Sequence, residues 1–390
     1  MLFSNQSYPS LAMDEIMDIF GTSDDCVFNP IDFGKGVSSF NPLEHVDVEL
    51  SSSCLAEYVP YGDIKGLMSL RKAICRYYQN NFDYDLSLER VCITDGASGA
   101  LMIAFAILLE DGGEIILPES CYPVYHVLTK ILKAQCQLVP VKNNFCIDVE
   151  KLPDLISNKT RAILINSPSN PHGACLSLKE LEAIGSLGVP VIFDEVYQSL
   201  SLSDEVIPSA INFSKGHFLV NSFSKSLAIA GFRLGYLIVP EEKVQVMTNV
   251  KAILNMCTSL PSQLLTECLL QHWDKLLKKH RAMLRQNWSI FQHTINALGL
   301  KLRSQPKAGF FALVDVADVH QDSIEISREL ARYYALASVP GIDFQDSNHN
   351  FLRLNFACDS DQIKLGLFRL AQYLKFARKG LMPESLIAKT

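Results

Sequence analysis

Short apolar runs punctuate the middle of the chain, and their order is the first clue to its architecture. "RVCIT", "GEIILP", "QCQLVPV", "RAILINS", "PVIFDE", "HFLVNS" and "RLGYLIV" follow one another from Arg90 to Val239. Several are apolar without alternation, the pattern of strands covered on both faces by helices. Between the first two lies "SGALMIAFAILLEDG", a buried-helix pattern that stops at Gly112 and Gly113. This β-α-β rhythm predicts an α/β fold with a mainly parallel, seven-stranded sheet sandwiched by helices.

From about Pro261 the rhythm changes. A long helical stretch runs toward Asn296. It is followed by "LGLKLRS", "GFFALVDV", a helix around Ile324 to Ala335, the strand "FLRLNFA" and a final helix from Ser360 to about Arg378. This mixture predicts a smaller α+β domain assembled from both termini. The expected division is an N-terminal arm and part of the small domain over 1–45, a large domain over 46–280 and a C-terminal small domain over 281–390.

Composition narrows the function classes. Hydrophobic residues make up 48% and charged residues 20%, a globular balance. A net charge of −7 argues against a nucleic-acid partner, and the basic cluster from Lys275 to Arg285 reads as a solvated helix face. Eleven cysteines without a CxxC pair or a Cys/His ligand spacing fit reduced thiols and no metal site. No lysine or arginine precedes Lys35 and no apolar leader is present, so no secretory signal is expected. The apolar run from Ala100 to Leu109 covers roughly half of a bilayer span. The expectation is a cytoplasmic protein with neither a membrane nor a nucleic-acid partner.

In such a sheet, ligands bind beyond the carboxyl ends of the strands. After "RVCIT" comes "DGASGAL", where Gly96, Ala97 and Ser98 open a helix whose free N–H groups and dipole favour an anion. After "RAILINS" comes "PSNPHG", which puts Asn170 on a Pro-flanked loop; His172 in that loop reads as exposed. Asp194 ends a buried strand in "PVIFDEVYQSL" and needs a cationic or donor partner there, with Tyr197 close behind. "FLVNSFSK" delivers Ser222, Ser224 and Lys225, and Arg233 adds a planar donor fork between Gly231 and Gly235. One ligand accounts for all of these: a phosphate, an aromatic ring with a basic nitrogen, and a carbonyl that lysine attacks. That is pyridoxal 5′-phosphate.

With these residues assembled, the sequence resembles the class I/II aminotransferases, fold type I of the pyridoxal-phosphate enzymes, over nearly its whole length. The family's Ser-x-Ser-Lys followed by Gly-x-Arg-x-Gly is matched by Ser222, Ser224, Lys225, Gly231, Arg233 and Gly235. Its Asn-x-Pro-x-Asn-Pro-x-Gly loop is matched by "NSPSNPHG", and its Asp-x-Val/Ala-Tyr strand end by Asp194, Val196 and Tyr197. "YGDIKGLMSLR" from Tyr61, "PESCYPVY" around Tyr122, "VPGIDF", and "FLRLNFA" around Arg353 match four further signatures.

The resemblance implies a role for each position. Lys225 is the Schiff-base lysine and the proton carrier. Asp194 holds the ring nitrogen protonated, and Asn170 and Tyr197 bond the ring's 3-oxygen. Tyr122 stacks on one face and Val196 packs beneath the other. Gly96, Ala97, Ser98, Ser222, Ser224 and Arg233 form the phosphate cup, with Tyr61 supplied by the neighbouring subunit of a homodimer. Arg353 takes the substrate carboxylate, and Gly36, Val37 and Asn170 line the same pocket, although "GKGVSSF" departs from the family's Gly-x-Pro-x-Phe.

The implied activity is double-displacement amino transfer between an amino acid and a 2-oxoacid. Some aspartate-specific relatives carry lysine at the position of Ser98, so an apolar, aromatic or methionine-like amino acid is expected. A C–S β-lyase acting on cysteine conjugates uses the same residues and is the alternative. A cofactor-binding sensor domain of a transcription regulator fits less well, because the segment before the family-like core has a single lysine, no arginine and no helix-turn-helix pattern.

Overall fold

The apolar runs pair as expected. The computed structural model describes residues 11–21, 28–49, 51–52, 56, 59–319, 322–344 and 350–380. Residues 1–10 and 22–27, part of the expected N-terminal arm, lie outside the described residues. After a short β1 (Ile31–Asp32) come β2 (Val91–Asp95), β3 (Glu114–Pro118), β4 (Gln135–Val139), β5 (Thr160–Asn166), β6 (Val191–Asp194), β7 (Phe218–Ser222) and β8 (Leu234–Ile238). These last seven form one sheet in the order β2-β8-β7-β6-β5-β3-β4. Only β8 runs antiparallel to its neighbours β2 and β7. Its reversal brings its first residues, rather than its last, to the edge where the parallel strands end.

Burial on both faces explains the unbroken apolar runs. Ala162 and Leu164 of β5 pack into one core with Cys92, Leu117 and Val220, while Ile163 and Ile165 pack into another with Ile116 and Phe193. The helix Gly96–Leu108 is apolar nearly all round because it is enclosed, with Ala100, Leu101, Ile103, Ala104, Phe105 and Ile107 all buried. No helix among the described residues is long and apolar enough to cross a membrane.

The smaller unit gathers β9 (Phe311–Asp315), β10 (Leu336–Ala337), β11 (Val339–Pro340) and β12 (Phe351–Asn355). β9, β12 and β11 form an antiparallel sheet, and β1 from the N-terminal part of the chain pairs parallel with β10. Two expectations need correction. The long helical stretch from Pro261 is two helices, Leu260–Leu270 and Trp273–Ala297, broken where the N–H of His272 bonds back to Leu269 O at 3.0 Å. "LGLKLRS" forms no ladder; only Leu302 bridges Val314. Leu300 packs its side chain in the small-unit core. Along Trp273–Ala297, Leu276 packs into the large-sheet core while Leu277, Leu284, Phe291 and Ile295 pack with β9 and β12. We keep a boundary near 280 as a proposal on that change of packing partner.

Candidate active site

Strand ends converge on a single cavity of about 420 Å³. It is lined from β2 and its following helix by Ala97 and Ser98, from the end of β3 by Tyr122, from β5 by Asn166 and Asn170, from β6 by Asp194, Val196 and Tyr197, and from β7 by Ser222, Ser224 and Lys225. Arg233 enters at the start of the reversed β8, and Gly36, Phe311, Phe344 and Arg353 close it from the small unit. Its size suits a small ligand enclosed between two units of structure.

Close backbone approach builds the anion end. Gly96 has φ +69°, and a Cβ there would lie 2.7 Å from Arg233 Nη2, so the guanidinium rests directly against this glycine. No side chain caps the helix Gly96–Leu108, which leaves its first N–H groups for a ligand. Ser222 caps the short lysine helix by accepting from the N–H of Ser224 at 3.1 Å, and its hydroxyl donates to Leu234 O at 3.0 Å. At Gly235 a Cβ would fall 2.6 Å from Gly96 C, 2.7 Å from Asn221 O and 2.8 Å from Ala97 N. Backbone surrounds that position. Gly235→Ala is therefore expected to destabilise the protein by about 3 kcal/mol, the upper part of the range for overpacking. Thermal melts would show it, and an unchanged Tm would contradict the packing.

Charged groups occupy the other end. Asp194 is 3% exposed; Tyr125 donates to its Oδ2 at 2.8 Å and the N–H of Val196 to its Oδ1 at 3.2 Å. Burial pushes its carboxyl up to about 6, against the pull of those donors and of Lys225. Lys225 donates from Nζ to Gly36 O at 2.5 Å. Burial, reinforced by Arg353 and Arg233, lowers its ammonium to about 8, with Asp194 opposing. Tyr197 is pushed well up by burial, and its ring meets Phe310 and Phe311 edge-on. Arg353 is 4% exposed and lies 4.1 Å over the Phe311 ring. It donates from Nη1 to Asn170 Oδ1 at 3.1 Å and from Nη2 to Gly34 O at 2.6 Å, leaving its buried Nε without a partner.

Val37, an expected pocket residue, does not line this cavity. It is 45% exposed, with its carbonyl bonded to Asn355 Nδ2 at 2.6 Å. Tyr61 is 80% exposed and does not line the cavity of its own chain. His172 corrects an expectation outright: it is 1% exposed, bonded through Nε2 to Ser120 Oγ at 2.9 Å and stacked on Phe145 at 4.7 Å. The loop folds inward and uses the ring as packing. Sequence reasoning also missed Tyr125, one helical turn beyond Tyr122 in "PESCYPVY", where that spacing was the available signal. It missed Asp343 too, whose carboxylate accepts from the N–H groups of Ala12 and Met13 at 2.9 and 2.8 Å. That bond seats the first turn of the helix Ala12–Gly21 on the cavity rim.

The donor set fits pyridoxal phosphate. Buried Asp194 would suit a cationic ring nitrogen, the uncapped N–H groups of the helix Gly96–Leu108 and Arg233 would suit a phosphate, and the largely desolvated amine of Lys225 lines the same cavity. Comparison with known proteins agrees. Residues 29–370 match the family described as "Aminotransferase class I and II". An aspartate aminotransferase of Pyrococcus horikoshii is 26% identical over 88% of this chain and 90% of its own length. The aromatic-amino-acid aminotransferase 2 of Thermococcus litoralis is 25% identical over 88% and 92%. The fold matches that of a Thermus thermophilus aspartate aminotransferase mutant with a TM-score of 0.87 at 24% identity, covering 96% of this chain and all of that one. Over this length of matching sequence, the chain belongs to the class I and II aminotransferases and is a pyridoxal-phosphate-dependent aminotransferase.

Proposed function

We propose that the chain exchanges an amino group between an amino acid with an apolar, aromatic or methionine-like side chain and a 2-oxoacid, by double displacement in one cavity. The observation that carries the reading is the convergence of Lys225, Asp194, Asn170 and Arg353 on a single space.

When bound, the cofactor supplies an electron-accepting ring that spreads the charge left on the substrate Cα. The residues do the rest. Lys225 is the nucleophile that attaches the cofactor. Once freed, its Nζ carries the proton removed from the substrate Cα. Asp194, fixed on one oxygen by Tyr125, accepts from the ring N–H and keeps that nitrogen cationic. Asn170 accepts from Arg353 Nη1 on its Oδ1, so its Nδ2 would remain to donate toward the ring's 3-oxygen beside Tyr197. Tyr122 and Val196, both on the cavity wall, would flank the ring. Gly96, Ala97, Ser98, Ser222, Ser224 and Arg233 hold the phosphate. Arg353 takes the substrate carboxylate, beside Gly36.

Exposed Tyr61, with Val59 at 83% and Ile253 at 85% exposed, supports a homodimer in which Tyr61 serves the neighbouring cavity. The net charge of −7 disfavours a nucleic-acid backbone as the main partner.

The test is initial-rate kinetics with a panel of amino acids against several 2-oxoacids. Parallel double-reciprocal lines and the best turnover with apolar donors are expected. Intersecting lines would remove the double-displacement scheme, and a preference for aspartate would remove the substrate assignment.

A further inference from the structure

The long helix Trp273–Ala297 carries a histidine that the proposed reaction does not use. His280 is fully buried, and both of its ring nitrogens have partners on segments that meet at Lys225. Nδ1 lies 3.1 Å from Ser226 O, the carbonyl next after that of Lys225 in the short helix Phe223–Ser226. A carbonyl only accepts, so Nδ1 carries the hydrogen and Nε2 keeps its lone pair. That lone pair accepts from Ser38 Oγ at 2.9 Å. The Phe40 ring stacks on the imidazole at 4.7 Å, with the planes 9° apart. Burial, partly opposed by Ser226 O, lowers the imidazolium to about 4, so the ring is neutral at ordinary pH.

These contacts close a circuit around the lysine. At its tip, Lys225 Nζ donates to Gly36 O at 2.5 Å, two residues before Ser38. At its base, Ser226 O is held by His280, which leads back to Ser38. Ser38 is also the point where "GVSSF" departs from the family's Gly-x-Pro-x-Phe. Serine leaves free the φ that proline fixes, so this segment depends more on outside anchors. Asn355 Nδ2 holds it from the small unit, through Lys35 O and Val37 O at 2.7 and 2.6 Å. His280 ties it to the lysine helix. We infer that His280 is a positioning residue for Lys225: its bond to Ser226 O fixes the backbone from which the lysine extends, and its bond to Ser38 fixes the carbonyl that aims Nζ. A reacting group displaced by about 1 Å can lose about 10²-fold in rate, so a brace at both ends of this side chain acts directly on its chemistry.

This inference rests on Lys225 as the cofactor lysine, and cofactor capture tests the two separately. In capture, Nζ adds to the aldehyde carbon of pyridoxal 5′-phosphate and one water leaves. Stopped-flow mixing of cofactor-free protein with the aldehyde reads its rate, beside kcat of the loaded enzyme. His280→Leu should slow both by about 10–100-fold. His280→Asn keeps a donor for Ser226 O and gives up Ser38, and His280→Gln does the reverse. Each should cost about tenfold, as one buried hydrogen bond implies, and Ser38→Ala should match His280→Asn. Affinity for pyridoxine 5′-phosphate, which has no aldehyde, should stay within about twofold of the parent, as should that for 3-phenylpropionate, a dead-end acid that binds without turnover. Capture and kcat at parent values in His280→Leu and Ser38→Ala overturn the inference, and Ser38→Ala alone decides if the leucine variant does not fold. So does an affinity for pyridoxine 5′-phosphate that falls as far as capture, which would make the ring part of the cavity's general architecture. A parent protein that captures no faster than Lys225→Ala overturns the reading of Lys225 itself.

Discussion

Lys225→Ala is expected to slow amino-group transfer by about 10⁴-fold, the upper end of what a positioned general base contributes, because the same side chain is also the nucleophile. The fold should survive. Removing Lys225 removes a largely desolvated amine whose ordinary value of 10.5 has been lowered to about 8, so its charged form is disfavoured in the folded protein. The sign follows from linkage. Between pH 8 and 10.5 the unfolded chain holds this proton and the folded chain does not, so the lysine's contribution to stability improves as pH rises through that window and is least favourable below it. Alanine escapes that penalty at neutral pH and loses one hydrogen bond to Gly36, so Tm should move by only a few degrees. The same shift predicts how the cofactor-free protein captures its cofactor. The attacking amine must be neutral, so the capture rate should rise about tenfold per pH unit below about 8 and level off above it. Asp194 adds a lower limit: near pH 6 its carboxylate protonates and loses its hold on a cationic ring nitrogen. Stopped-flow capture from pH 5 to 9 reads both limbs, and a flat profile would contradict the role of Lys225.

What could be read from the sequence follows from where burial leaves a pattern. The central strands were legible because enclosure on both faces leaves short apolar runs, as at Ile163 and Leu164 on opposite sides of β5, whereas the edge strand β4 ("QCQLV") is mostly exposed. The residues at their ends were legible because chemistry put Asp194, Lys225 and Arg233 where packing has no use for charge. What stayed hidden depends on contacts between distant segments. "LGLKLRS" has strand composition, yet it pairs with β9 only at the Leu302–Val314 bridge, where the N–H of Arg303 donates to Leu313 O and the N–H of Asp315 to Lys301 O. His172 looked like an exposed loop residue because nothing local announces that Phe145 and Ser120 fold over it. The seating of Ala12 and Met13 on Asp343 links residues more than three hundred positions apart, and no periodicity records it. Val37 shows the converse. The motif around it departs from the family's pattern, and its side chain points to solvent while the carbonyl of neighbouring Gly36 holds Lys225.

Arg353→Lys is expected to lower kcat/KM by about 10²–10³-fold, the equivalent of losing a buried, hydrogen-bonded charge contact. Burial lowers Arg353 to about 10, so it stays cationic at neutral pH in both the free and the substrate-bound protein. Its planar fork already reaches Asn170 Oδ1 and Gly34 O while Nε is left over. A lysine ammonium clusters its donors on one compact nitrogen and lacks the planar fork, so it cannot span those two oxygens and a carboxylate at once. The loss should therefore appear in the substrate's KM and in the affinity for dead-end acids, with cofactor affinity within about twofold of the parent because the phosphate cup and Asp194 are untouched. Arg353→Ala separates positioning from charge. It strands Asn170 Oδ1 and Gly34 O in a buried site, each at a cost of about 1–3 kcal/mol, so its Tm should fall where that of the lysine variant holds. Equal damage to cofactor affinity and to substrate KM in the lysine variant would place Arg353 in the architecture of the site as a whole, and would take from it the specific task of binding the substrate carboxylate.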